Sequence, residues 1–329
     1  MKKNIAVVVG GNSSEYFISL QSGEKIANEI DKEKFNVYVV TIKGSDWELT
    51  SDLYCGLIIN KNDFSFNDNG KKVKFDCAYI AIHGTPGEDG KLQSYFDMIK
   101  LPYTSCNVLC SALTFNKYYC NTVLRQSNIN IANSVLLIKG QNIDNESIIS
   151  KTGLPCFVKP NEGGSSFGIS KVKKQEDLIS AIEIAFKESN QVIIEQFIEG
   201  TEITVGLVKT KNKDYIFTPI EIVSANEFFD YEAKYNDKKT QEIIPARISA
   251  ELTKKSQELS SQIYDYLNCS GIVRVDFILK NDTFYFLEIN TIPGMTAASL
   301  VPKQIKEYGV EMKDLLTDII ENSINTYNL

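Results

Sequence analysis

Histidine is almost absent from this chain: His83 is the only one in 329 residues. A zinc site that needs two imidazoles therefore cannot be assembled within one copy. A hydrolytic triad would have to use His83, and the G-x-S-x-G elbow that would present its serine is missing. The phosphate-binding pattern G-x-x-x-x-G-K-[ST] is absent, as is the dinucleotide pattern G-x-G-x-x-G. The seven cysteines (Cys55, Cys77, Cys106, Cys110, Cys120, Cys156, Cys269) are odd in number, scattered and without a C-x-x-C pair. They read as reduced thiols rather than a disulfide framework. No apolar run approaches membrane length. The opening run Ile5–Val9 is too short for a signal-peptide core and reads as a buried first strand, so a cytoplasmic protein is expected. Positive charge is in deficit, with a net charge of −7. That balance argues against general binding to nucleic acid or an anionic membrane, and it leaves room for a small anion held by a few local basic residues.

What is present is an ordinary globular composition, 43% hydrophobic and 23% charged. At about 100–200 residues per domain the length suits two or three domains. Ile5–Val9, Val37–Ile42 and Ala78–Ile82 read as strands, and Ser19–Ile30 and Leu92–Ile99 as the helices between them. That alternation predicts a doubly wound α/β unit. Pro102 and the small, polar stretch Thr104–Asn107 mark a boundary. Beyond it the pattern predicts a helix over Ser111–Gln126 and further strands at Cys156–Lys159, Gly168–Val172, Val192–Ile198, Glu202–Val208 and Tyr215–Val223. Helices are predicted over Gln175–Lys187, Ala250–Asn268 and Met312–Ile324. Residues 226–240, "NEFFDYEAKYNDKKT", have no clean period and read as a long functional loop.

Two apolar strands near the C-terminus carry misplaced polar residues. "IVRVDFIL" holds Arg274 and Asp276 two apart, and "FYFLEIN" holds Glu288 and Asn290 two apart, so each pair lies on one face of its strand. The intervening "KND" predicts a hairpin. An odd-length loop such as Asn281–Thr283 sets Asp276 opposite Glu288 and Arg274 opposite Asn290, whereas an even-length loop spoils that register. Two carboxylates and an amide oxygen on one surface form a hard, oxygen-only set suited to Mg²⁺ holding phosphates. The competing reading is a buried Arg–Asp–Glu salt-bridge cluster. Asn290 runs into "TIPGMTAAS", where Gly294 can bring a backbone N–H close to a ligand.

A second constellation, "FVKPNEGGSSFGISKV" at 157–172, ends a strand on Lys159 and continues through Gly163, Gly164, Ser165, Ser166 and Gly168. Such a loop can wrap phosphate oxygens, and a plain flexible hairpin loop is the equal alternative. "AIHGTPGEDG" follows a strand end, where open α/β sheets place ligands, and offers His83, Glu88 and Asp89 as acid, base or anchor. A simple glycine-rich turn competes with that reading. Glu15 also follows a strand end, although a glutamate opening a helix is commonly a cap or dipole partner. Lys234 and Tyr235 in the long loop can reach a phosphate and a substrate, or stand solvated.

Taken in order, "GGNSSEYFISLQSG", "HGTPGEDGKLQ", "LPYT", "VKPNEGGSSFGISKV", "FFDYEAKY", "IIPA", "RVDF" and "LEINTIPGMTAASLVPK" resemble the D-alanine–D-alanine ligases of the ATP-grasp superfamily nearly end to end. The resemblance implies a three-domain α/β fold: a Rossmann-like unit over 1–104 with the first D-alanine site, a central ATP-grasp subdomain over 105–194, and a C-terminal ATP-grasp subdomain over 195–329. It implies that Lys117, Lys159 and Ser166 contact the nucleotide and its phosphates, and that Glu195, Ile198 and Glu202 hold adenine and ribose. Asp276, Glu288 and Asn290 would bind two Mg²⁺ ions, for which Mn²⁺ can substitute. Glu15 would receive the first ammonium group with His83 nearby, and Ser165 and Tyr235 would join it in a hydrogen-bonded set. Lys234 would reach the γ-phosphate, Arg274 and the Gly294 N–H would face the oxyanion, and Ser299 with the Leu300 N–H would take the second carboxylate. The implied partners are D-alanine and ATP, with a homodimer as the assembly. The "EAKY" tyrosine, Tyr235, favours D-alanine over D-lactate as acceptor. Asn116 and Gln196 depart from the family's Asp and Lys. An ATP-grasp ligase with a D-serine or D-lactate acceptor, and a catalytically dead nucleotide-binding regulator, are the alternatives.

Overall fold

A computed structural model describes residues 1–51, 53–163, 168–223 and 240–327. The first sheet runs Asp46–Leu49, Phe35–Lys43, Lys3–Gly10, Cys77–Ile80, with its last three strands parallel. "KNIAVVVG" is buried along most of its length, as a central parallel strand covered on both faces must be. The helix Tyr16–Glu29 can lie on this strand because Gly23 has no side chain: a Cβ there would stand 2.0 Å from Val9 Cγ1. Ser19 completes the seam, accepting the Gly10 N–H at 2.8 Å and donating to the Ala81 carbonyl at 2.7 Å. These contacts fix the strand ends from which Glu15 and His83 project.

Two antiparallel sheets follow. The smaller is ordered Ser134–Ile138, Gln191–Gln196, Cys156–Pro160, Ser170–Val172. The larger is ordered Gln241–Ile243, Ile220–Val223, Thr201–Lys209, Val273–Lys280, Thr283–Asn290, with Asp214–Ile216 beside Thr201–Lys209. The Phe286 N–H donates to the Asn130 carbonyl at 2.8 Å, tying the hairpin to the chain that enters the smaller sheet. The cores do not follow chain order. The helix Met312–Tyr327 buries Leu315, Leu316, Ile319 and Ile320 with Ile5, Val7 and Val9 of the first sheet. Cys110, Cys120 and Leu124 pack with Val205, Val275 and Phe286 of the larger sheet. Among the described residues no helix is long and apolar enough to cross a membrane.

Three expected elements are subdivided, each with a local cause. The helix expected over Ser111–Gln126 is two helices, Val108–Phe115 and Lys117–Leu124, because Asn116 leaves the helical conformation and its Oδ1 accepts the Tyr119 N–H at 3.1 Å. The strand expected over Tyr215–Val223 is Asp214–Ile216 and Ile220–Val223, interrupted beside Pro219, which has no N–H to donate. The segment Gln175–Lys187 opens with one 3₁₀ turn, Gln175–Asp177, before the helix Leu178–Glu188.

Candidate active site

The hairpin Val273–Lys280/Thr283–Asn290 pairs Arg274 with Asn290 and Asp276 with Glu288, as the polar pattern requires. The route differs from the expected odd loop. Lys280 pairs with Thr283, so the turn is the two-residue Asn281–Asp282, with both φ values positive at 47° and 59°. That is the backbone of a primed hairpin turn. Alone, this even loop would offset the polar pairs by one position. A β-bulge between Phe277 and Asp276 inserts Leu287 and restores them. It also reverses parity: Phe284, Phe286 and then Ile289 pack in one core, so Glu288 and Asn290, of the same even numbering as the phenylalanines, are left half-buried along the cleft.

The buried Asp276 carboxylate, 4% exposed, is the hub. Arg274 donates Nε to Oδ1 at 2.9 Å and Nη2 to Oδ2 at 2.7 Å, Asn290 Nδ2 donates to Oδ2 at 3.2 Å, and Thr204 Oγ1 donates to Oδ1. Burial opposes the Arg274 charge, yet the carboxylates of Asp276, Glu288 and Glu202 outweigh burial and raise its pKa. The salt-bridge cluster and the oxygen-rich surface are thus the same place. Because Asn290 donates through nitrogen, its Oδ1 is left to face a ligand, and each carboxylate oxygen carries more than one lone pair.

On the opposite wall Glu15 occupies the N-cap position of the helix Tyr16–Glu29, yet its side chain makes no cap hydrogen bond and lines the cleft. His83 is buried. Its Nδ1 lies 2.9 Å from the Ile292 carbonyl, an acceptor only, so Nδ1 carries the proton and Nε2 faces Ser22 Oγ at 3.2 Å. Burial keeps the imidazole neutral against the pull of Glu15. Glu88 Oε2 accepts the Gly84 N–H at 2.6 Å and Oε1 the Ile292 N–H at 3.4 Å. Burial, then the charge of Glu15, push its pKa up to about 8. Ser22 Oγ also accepts the Met295 N–H at 3.2 Å. Ser22, His83 and Glu88 therefore strap the Ile292–Met295 segment to the first sheet, and Gly294 sits in that segment. A Cβ at Gly294 would stand 2.8 Å from Ser299 Oγ. Ser299 precedes the helix Leu300–Tyr308 without capping it through its side chain, and both Ser299 and Leu300 line the cleft. A helix N-terminus of this kind favours an anion.

At the far end Lys159 and Glu195, 6% and 5% exposed, form an ion pair, and Glu195 Oε1 accepts from Asn121 Nδ2 at 2.9 Å. Lys117 Nζ donates to the Gly163 carbonyl at 2.7 Å. Ile198 and Glu202 line the same wall with Phe157 and Gln196. Asn116, besides capping, donates Nδ2 to Glu162 at 3.2 Å and to Gln191 at 3.3 Å. The expected roles of Ser165, Ser166, Lys234 and Tyr235 fall on residues outside those described. The other expected residues line a single cleft of about 1380 Å³. That exceeds the roughly 300–1,000 Å³ of an ordinary small-molecule pocket. Ser22, Asn121 and Thr204 were not anticipated; each is a small polar residue in an apolar element, a signal too common to single out.

Two antiparallel sheets that close on a cleft lined by lysines and carboxylates, with a parallel sheet contributing the third wall, define an ATP-grasp enzyme. The chain belongs to the D-alanine–D-alanine ligase family: the models for the D-ala D-ala ligase N-terminus and C-terminus match residues 4–106 and 123–321. It is 53% identical to a D-alanine–D-alanine ligase of Phocaeicola vulgatus, covering 98% of this chain and 99% of the relative. Among solved structures, a D-Ala:D-Ser ligase from Enterococcus faecalis is similar at a TM-score of 0.86 and 32% identity, covering 98% of this chain and all (100%) of that one. The D-alanine–D-alanine ligase from Bacillus anthracis complexed with ATP is similar at a TM-score of 0.79 and 30% identity, covering 99% of each chain.

Proposed function

We propose that this chain joins two D-alanines into D-alanyl-D-alanine while cleaving ATP to ADP and phosphate, in the cytoplasm and for peptidoglycan precursor synthesis. The observation that carries the reading is convergence: an acidic wall from the first sheet and the Arg274–Asp276 wall from the hairpin face one cleft, with Lys117 and Lys159 in it. End-to-end similarity to ligases of that name supports the reaction, and the ATP complex of the Bacillus anthracis relative supports the nucleotide.

Lys117 and Lys159 hold the phosphates, with Glu195 fixing the Lys159 ammonium in place. Ile198, Glu195 and Glu202 take adenine and ribose. Glu15 receives the ammonium of the first D-alanine, leaving its carboxylate free to attack the γ-phosphate and become an acyl phosphate. The second amine then attacks the activated carbonyl. Arg274 and the Gly294 N–H face the oxyanion that forms, and phosphate leaves carrying one oxygen of the original carboxylate. Such fixed donors act where charge develops and cost no reorganisation at that moment. Ser299 and the Leu300 N–H hold the second carboxylate. Ser165, Ser166, Lys234 and Tyr235 complete the closure and exclude water from the acyl phosphate. Asp276, Glu288 and the Asn290 amide oxygen fit Mg²⁺, because the set is hard, oxygen-only and partly buried. Bound there, Mg²⁺ would neutralise charge on the phosphate oxygens. His83 is a positioning residue that acts through Ile292.

D-alanine labelled with ¹⁸O in its carboxylate tests the order of events. One ¹⁸O should appear in each phosphate released and one remain in the peptide carbonyl. Unlabelled phosphate would rule out the acyl phosphate. The second reading, D-serine as acceptor, is favoured only by the similarity to the Enterococcus faecalis enzyme.

A further inference from the structure

We infer that Cys106, Cys110 and Cys269 form a trithiolate site for a thiophilic divalent cation of the zinc class. Their three Sγ atoms lie within 4.8 Å of one another, and those of Cys110 and Cys269 are 3.7 Å apart. Zinc–sulfur bonds of about 2.3 Å place sulfurs on a tetrahedron roughly 3.8 Å from each other, which the Cys110–Cys269 separation matches and the 4.8 Å bound on all three admits. A disulfide needs two sulfurs at about 2.05 Å and gives the third no role. Here three converge.

Cys106 and Cys110 are buried and Cys269 half-buried. The Ser270 N–H donates to Cys106 Sγ at 3.4 Å, and the Cys106 thiol donates to the Ser270 carbonyl at 3.3 Å, a proton that a bound cation would displace. Asn107 Oδ1 accepts the Cys110 N–H at 2.9 Å and so fixes the start of the helix Val108–Phe115, which holds Cys110 one turn from Cys106. The oxygen set of Asp276, Glu288 and Asn290 and this sulfur set differ in softness, which sorts Mg²⁺ from the thiophilic ion.

The place in the fold gives the ion a task. Residues 104–106 leave the first sheet, and residues 269–272 lead into the strand that carries Arg274. The two segments touch so closely that a Cβ on Gly271, at φ +70°, would stand 1.9 Å from the Thr104 carbonyl oxygen. An ion on the three sulfurs staples them together behind the catalytic hairpin. Binding to the folded state alone raises its stability by mass action.

The test uses the reduced full-length protein, titrated with Zn²⁺ and separately with Cd²⁺ under excess Mg²⁺. One equivalent per chain should survive gel filtration, Cd²⁺ should produce ultraviolet thiolate charge transfer, and the unfolding temperature should rise. Loss even of groups that only support a metal's ligands weakens affinity about 10–100-fold, so Cys110→Ser and Cys269→Ser should each weaken binding at least that much. Cys77→Ser and Cys156→Ser should not change it. Failure to retain Zn²⁺, absence of thiolate absorption, or unchanged binding in Cys110→Ser and Cys269→Ser would overturn the assignment. So would a Cys110–Cys269 disulfide forming under mild peroxide in a protein that takes up no ion. If a variant misfolds by circular dichroism, the Cd²⁺ titration of the unaltered chain still decides.

Discussion

On the hairpin wall of the cleft, Arg274 grips Asp276 through two bonds at 2.9 and 2.7 Å, and Thr204 and Asn290 add donors to the same carboxylate. On the facing wall Glu15 and Glu88 gather around a histidine that burial keeps neutral. On the first wall Arg274 and Asp276 are paired, with geometry set before any substrate arrives, and Glu288 and Glu202 add further carboxylates. On the other, burial first and the charge of Glu15 second push the pKa of Glu88 up to about 8, which leaves Glu15 to meet a cation. The contrast matches the two ligand chemistries: an ammonium group offsets the acidic wall, whereas phosphates and an oxyanion need fixed donors.

Substitutions on the hairpin wall should cost most. Glu288→Ala is expected to abolish turnover while circular dichroism and the unfolding midpoint stay close to those of the parent; normal activity would remove Glu288 from the metal-binding set. Arg274→Met should lower kcat by at least the roughly 10²–10³ lost with one oxyanion donor. It should also destabilise the fold by about 3–5 kcal/mol, because Asp276 is left as a buried, uncompensated charge. Urea denaturation checks the second number, and unchanged stability would show that the pair is not buried as described. Arg274→Lys keeps the charge and loses the two-pronged fork, so intermediate values are expected.

Changes on the acidic wall should be milder and selective. Glu15→Gln removes a charged hydrogen bond worth about 1.5–3 kcal/mol, which raises KM for the first D-alanine about 10–150-fold. An unchanged KM would locate the ammonium elsewhere. Glu88→Gln should have the smallest effect, visible in pH dependence. A carboxyl raised from 4.5 to about 8 on folding contributes stability that is complete below pH 4.5 and is lost as pH rises through 8. Glu88→Gln should flatten that fall in unfolding free energy. An identical slope in the variant would mean that Glu88 is ionised in the folded protein.

The same contrast explains what the sequence disclosed. Arg274, Asp276, Glu288 and Asn290 were legible because charge in an apolar strand is costly without a partner. The bulge at Leu287 was not, since one extra residue in a strand leaves no compositional trace, and the register could be reached only by assuming a longer turn. The helix Leu300–Tyr308 escaped notice because Pro302 suggests a break, although a proline in a first turn donates nothing the helix needs. The acidic wall was half legible. Glu15, His83 and Glu88 stand out beside strand ends, but the strap to Ile292 joins residues 204 and 209 positions apart, a pairing that only the folded chain creates.

The most direct measurement is phosphate release from ATP with D-alanine alone, set against D-serine, D-lactate, mixed pairs and no amino acid. The account predicts release with D-alanine alone, one phosphate for each D-alanyl-D-alanine formed. Release that requires a mixed pair, or none despite bound nucleotide, would contradict it.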